Sequence, residues 1–227
     1  MFDSLTAIAV GGNESGNLQT IIKTTNGGQT WNVLLDQTGK WLKSVFFVDA
    51  NTGIAVGDSG MILKTTNAAN NWLPVMAPVI RNFNSVWFTN SSTGIIVGGQ
   101  IPNDSMRTIL RTTNGGSSWS VIKDETSSWL NDIYFLNTDT GYTVGKDAAY
   151  LVTTDAGQTW KTQTVPNSQP YDYFNCVRFY NANYGVIGCK YGSVYVYTTT
   201  QPVDVFTTGS DYIDSASSEI HGVINTH

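Results

Sequence analysis

Charge is scarce in this sequence. Of 227 residues, 13% are Asp, Glu, Lys or Arg, about half the roughly 25% usual in soluble domains. Net charge is −5 and only Arg81, Arg107, Arg111 and Arg178 carry a guanidinium, so no basic stripe marks a nucleic-acid binder. Two cysteines and no CxxC exclude a disulfide scaffold. Two histidines, His221 and His227, are too few for a triad or a His-based metal site. No apolar run reaches the ~18 residues of a membrane span. The opening "MFDSLTAIAVGG" lacks the basic and long apolar segments of a signal peptide. Such a composition suits an extracellular or virion-associated protein. Hydrophobic residues, at 41%, suffice for a core, and the surface is left to Asn, Thr, Ser and Gly.

What the chain has instead is repetition. "TTNGGQTW" at Thr24–Trp31 returns as "TTNAANNW" at Thr65–Trp72, "TTNGGSSW" at Thr112–Trp119 and "TTDAGQTW" at Thr153–Trp160. The four tryptophans are 41, 47 and 41 residues apart. A second pattern precedes each full unit: "LKSVFFVDANTGIAVG" from Leu42, "FNSVWFTNSSTGIIVG" from Phe83, "LNDIYFLNTDTGYTVG" from Leu130 and "FNCVRFYNANYGVIGC" from Phe174.

Each unit parses into four strands. An alternating stretch such as "LKSVFF" (strand A) is followed by a short, continuously apolar "GIAVG" (B), by "MILKTT" (C), and by the residues after the tryptophan (D). A continuous apolar run is buried on both faces, and four strands per ~45 residues is the period of a β-propeller blade. Strand B occurs five times and strand A four, the first unit entering halfway. The alternating "IHGVIN" at Ile220–Asn225 supplies the missing A strand. The expected fold is therefore all-β: a single domain, 1–227, forming a five-bladed β-propeller of four-stranded antiparallel blades. The blades are 1–40 plus 219–227, 41–81, 82–128, 129–172 and 173–218. Pairing of the C-terminal strand with the N-terminal blade removes the free sheet edges of an open stack.

The repeated octapeptide lies between strands C and D. Asn26, Asn67, Asn114 or Asp155 accepts backbone N–H groups across the turn, while Gly28, Gly116 and Gly157 supply positive φ. Trp31, Trp72, Trp119 and Trp160 then cover the hairpin. The pattern resembles the Asp-box (BNR) repeat of sialidase-like propellers. "TTDAGQTW" matches every position, Asn replaces Asp elsewhere, and the fifth unit, "YTTTQPVDVF", has no box. With "tGiAVGd.G.ILkTtNGG.tW" the resemblance narrows to the photosystem II stability/assembly factor family and its bacterial relatives, over nearly the whole chain. It implies a protein–protein scaffold. Photosynthetic members of that family have seven blades and a basic patch; five B strands and four arginines depart from both.

Sialidase chemistry needs three clustered arginines and a glutamate-activated tyrosine, which four dispersed arginines and three glutamates do not offer. The pair Asp124/Glu125 reads as a solvated loop, not the acid/base pair of a glycosidase. Asp211 and Asp214 read as turn carboxylates, and the "NGG" turns lack the Lys-Ser/Thr of a phosphate loop. The sequence thus points to a non-catalytic binding module with no metal and no cofactor.

The candidate ligand face lies opposite the boxes, where the A strands begin: Trp41, Arg81, Asn82, Trp129 and Tyr173. Long B–C hairpins, Gly11–Thr20 and Gly98–Thr108, reach the same side. Aromatics beside amides suit a protein ligand or a glycan; a lectin-like propeller is the alternative, and a glycoside hydrolase the third reading. Cys176 and Cys189 are expected to face each other across the A–B hairpin of the fifth blade, a geometry open to a disulfide.

Overall fold

The computed structural model describes residues 4–13, 18–101, 105–198 and 204–207. These form five antiparallel sheets. The first is β1 (Ala7–Asn13), β2 (Leu18–Thr24) and β3 (Asn32–Thr38). The second is β4 (Leu42–Phe47), β5 (Gly53–Gly57), β6 (Ile62–Thr65) and β7 (Leu73–Pro74); the third is β8 (Asn82–Phe88), β9 (Gly94–Gly99), β10 (Met106–Thr112) and β11 (Ser120–Thr126). The fourth is β12 (Leu130–Phe135), β13 (Gly141–Gly145), β14 (Tyr150–Thr153) and β15 (Lys161–Thr162). The fifth is β16 (Phe174–Asn181), β17 (Tyr184–Cys189), β18 (Ser193–Thr198) and β19 (Asp204–Thr207). The only helical turn among the described residues is Asp58–Gly60.

Within each sheet the strands follow chain order, each pairing with the next. Successive sheets pack through their first strands: β1 on β4, β4 on β8, β8 on β12 and β12 on β16. The all-apolar B strands explain this. Every residue of β5 and β9 is buried, because each of these strands has a sheet on both sides.

The ends of the stack differ. The first sheet has three described strands, and Ile220–Asn225, expected to supply its fourth, lies outside the described residues. In the fifth sheet only alternate residues are buried, leaving Tyr184, Val186 and Val194 exposed.

The boxes follow one template. Asp155 Oδ1 accepts from the Thr159 N–H at 2.9 Å, and the hydroxyl of Thr153 accepts from the Gly157 N–H at 3.0 Å while donating to Asp155 Oδ1 at 2.8 Å. The same bonds recur around Asn26, Asn67 and Asn114. The first threonine of each box, Thr24, Thr65, Thr112 and Thr153, is buried. These four side chains are central to the turn, and the sequence reading passed over them. The glycines are needed for more than φ. A Cβ on Gly116 or Gly157 would stand 2.6 or 2.4 Å from Cδ1 of Ile54 or Ile95 on the preceding sheet.

Two expectations are corrected. Trp119 and Trp160 are buried under their sheets, yet Trp31 is 42% exposed; its sheet has no described A strand to cover it. Asp124 and Glu125 stand on β11, not in a loop, and both are ion-paired.

Candidate binding face

The A strands share a bulge near their start: the register shifts between Leu42 and Ser44, Phe83 and Ser85, Leu130 and Asp132, and Phe174 and Cys176. A bulge re-aims the extra side chain, and here it points to the neighbouring sheet. Lys43 Nζ donates to Asn84 Oδ1 at 3.2 Å, Asn84 Nδ2 to the Leu130 carbonyl at 2.7 Å, and Asn131 Nδ2 to the Phe174 carbonyl at 2.8 Å. These bonds hold the starts of successive A strands together and so fix the residue before each.

Those preceding residues are the expected site. Trp41, Asn82, Trp129 and Tyr173 each stand immediately before or at the first position of β4, β8, β12 and β16. Asn82 is tied to the adjacent turns, and Trp129 touches Tyr173. The Ser59 N–H donates to Asn82 Oδ1 at 3.0 Å, the Gly60 N–H to the Arg81 carbonyl at 2.6 Å, and Asn82 Nδ2 to Gln100 Oε1 at 3.3 Å. Trp129 Nε1 lies 3.2 Å from the Tyr173 hydroxyl, with the rings 6.0 Å apart and edge-on. Trp41 is 36% exposed, whereas Trp129 is nearly buried. Trp129 therefore braces the fourth and fifth sheets.

Arg81 is not a free cation. Its guanidinium makes a bidentate pair with Asp124, at 3.0 and 2.8 Å, and Thr108 donates to the same carboxylate at 2.8 Å. Arg107 spans to Glu125 at 3.7 Å, and burial lowers its pKa although Glu125 opposes this. Arg178 pairs with Asp132. Three of the four arginines are thus tied to carboxylates, leaving them unsuited to clamp an acidic ligand.

Lysines instead stand over the aromatics. Lys43 lies 5.5 Å from the Trp41 ring centroid, Lys146 is 4.5 Å from Trp129, and Lys190 is 5.2 Å from Tyr173. These are cation–π distances. Sequence reasoning missed the lysines, although Lys146 and Lys190 occupy the same place, directly after strand B, in two consecutive repeats.

The cysteines are offset by the A-strand bulge. Cys176 pairs in register with Gly188, and Cys189 with Phe174. Both are free thiols, Cys176 exposed and Cys189 half-buried, so the expected face-to-face placement is not met. Burial, with the nearby Asp172 charge, pushes the Cys189 thiol up to about 12. It is a poor nucleophile at neutral pH.

With this geometry in view, known proteins place the repeat. Residues 116–199 match the family model described as "Photosynthesis system II assembly factor YCF48". The chain is a BNR-type β-propeller related to that assembly factor. Solved structures agree on the fold. YCF48 from Cyanidioschyzon merolae superposes with a TM-score of 0.58 at 13% identity, over 80% of this chain and 66% of that one. A GH74 enzyme of Niastella koreensis gives 0.69 at 16% identity, over 88% of this propeller and 36% of the enzyme. An ancestral GH74 enzyme gives 0.67 at 16%, over 93% and 32%. This propeller therefore spans about a third of either glycosidase. A structure titled "YCF48 bound to D1 peptide" covers 87% of this chain and 91% of that one at 17% identity, with a TM-score of 0.44. No curated protein matches. Assembly factors and glycosidases share this frame, so the fold alone does not choose between them.

Proposed function

We propose that this propeller is a non-catalytic interaction module that binds a protein segment on the face where the A strands begin. One observation carries the reading. Trp41 with Lys43, Trp129 with Lys146, and Tyr173 with Lys190 repeat an aromatic–lysine pair along one end of the stack. Trp and Tyr anchors are among the residues that protein-binding hot spots favour. Arg81 and Asn82 complete the face, holding the turn Asp58–Gly60 against β8. The kinship with an assembly factor favours the same role. Near the face, Asp58, Asp124, Glu125 and Asp132 are paired with Lys43, Arg81, Arg107 and Arg178, while Asp147 accepts from Ser128 and Asp172 from Tyr195 and the Gln169 N–H. Carboxylates so engaged are poor candidates for the acid/base pair of a glycosidase.

A second reading, glycan binding, is favoured by a different feature. Near the box end of the second sheet, Asn67, Asn70, Asn71, Trp72 and Lys64 line a cavity of about 660 Å³. An indole beside several amides suits a sugar ring. A glycan array separates the two readings: a protein scaffold is silent on it, and saturable glycan binding lost in Trp72→Ala would establish the second.

We further infer that the five sheets close into one ring, with Ile220–Asn225 as the fourth strand of the first. Support comes from the three-stranded first sheet, the exposed Trp31, and the exposed apolar side chains of the fifth sheet. Deleting 218–227 should then lower cooperativity on melting or cause aggregation, whereas a truncated chain that melts like the whole one would refute closure.

A further inference from the structure

The junction between the fourth and fifth sheets differs from the two junctions before it. In the two before it, a box glycine fills the space over an isoleucine of the preceding B strand, Gly116 over Ile54 and Gly157 over Ile95. At the next junction the isoleucine's place is taken by Tyr142, and the fifth repeat carries no box and no glycine between β18 and β19. A cavity of about 400 Å³ stands there. We propose that it is a binding site for a small, uncharged, planar aromatic molecule.

The floor of the cavity is flat. Tyr142 pairs in register with Val152, which makes Tyr150 its diagonal neighbour on the same face of the fourth sheet. The Tyr142 and Tyr150 rings are parallel within 3°, with centroids 6.2 Å apart. Phe179, from the fifth sheet, stacks on Tyr142 at 3.9 Å and 15°. Among the described residues no second ring stacks on Tyr150 in that way. The aromatic layer begun by Phe179 is thus incomplete, and a planar ring beside Phe179 would extend it.

The walls exclude charge. Val152, Val165, Ile187, Tyr195 and Tyr197 surround the space together with Gln163 and Thr164, and among the described residues no Asp, Glu, Lys, Arg or His lines it. A charged ligand would lose its hydration there without a partner. Burial first, then the neighbouring phenols, raise the pKa of Tyr142 and Tyr150, so both remain neutral O–H groups able to meet an edge heteroatom. The wall offers a pyranose mostly apolar and aromatic side chains, and the Tyr195 hydroxyl is already donated to Asp172.

Indole, neutral and planar with one N–H, is a suitable probe. Titrated into the full chain and followed by saturation-transfer NMR, it should bind saturably with a dissociation constant of about 1 mM or tighter. Val152→Phe, which puts a ring into the cavity, should weaken it roughly tenfold, as should Tyr150→Leu, while Tyr150→Phe keeps it. Two independent variants guard against a folding defect in either, checked by melting. Absence of saturable indole binding, binding that both Val152→Phe and Tyr150→Leu leave unchanged, or equal binding of methyl glucopyranoside would overturn the proposal.

Discussion

Trp119 meets Phe88 edge-on, the ring centroids 5.9 Å apart and the planes at 81°. The same pair recurs as Trp72 on Phe47 and Trp160 on Phe135, at 5.9 and 6.1 Å. Each phenylalanine also lies under a B-strand glycine; a Cβ on Gly94 would stand 2.7 Å from Phe88. The box therefore ends in tryptophan because one large flat side chain must close the outer end of the A–B–C hairpins. Removing a buried aromatic leaves a cavity that costs about 3–5 kcal/mol. Trp119→Ala and Trp160→Ala should each lose about that much on chemical denaturation. Losses under about 1 kcal/mol at both positions would show that the boxes are not held in this way.

Much of this architecture was legible beforehand, for a physical reason. The A, B, C and D strands were readable because a two-sided buried B strand must be continuously apolar and a box turn must carry Asn or Asp with glycine. The junction chemistry was not. Bulges at Lys43, Asn84 and Asn131 leave no mark in an alternating pattern, since a bulge residue is defined by its partner strand. The pairing of Asp124 with Arg81 joins positions 43 residues apart and cannot be read from either neighbourhood. The offset of Cys176 from Cys189 follows from the same bulge. Of the candidate face, the aromatics were visible as recurring A-strand starts; the lysines above them became meaningful only when two strands were seen side by side.

Box strain gives a second expectation. Ala68 and Ala156 occupy left-handed φ of 57°, where the other boxes have Gly27 and Gly115. A non-glycine residue there costs roughly 1–2 kcal/mol, partly offset by glycine's greater freedom when unfolded. Ala68→Gly and Ala156→Gly should each stabilise by about 0.5–1 kcal/mol, read from denaturant midpoints at constant slope. Destabilisation at both sites would mean that the alanine methyls are needed for packing.

Acid should act on particular turns. Burial raises the Asp155 pKa, but hydrogen bonds from the Thr159 side chain and N–H outweigh it and leave the carboxyl below its ordinary value. Asp49 is lowered by the N–H groups of Asn51 and Thr52. A depressed folded pKa means stability present above the unfolded value, about 3.9, and lost as pH falls through the folded one. The wild-type protein should therefore lose stability below about pH 4. Asp155→Asn, which copies the uncharged Asn114 box, should flatten that part of the profile; an unchanged acid limb would remove Asp155 from the account.

The claim that a protein segment binds across the A-strand starts is tested most directly by selection. A random peptide library displayed on phage would be panned on the full-length chain. Enriched peptides would then be measured against a Trp41→Ala/Tyr173→Ala variant that melts like the parent. Loss of about 1–2 kcal/mol or more per aromatic is expected, with Gln29→Ala/Asn70→Ala/Gln158→Ala at the box end binding normally. Peptides that bind the aromatic variant as well as the parent, or that lose binding only in the box-end variant, would contradict it.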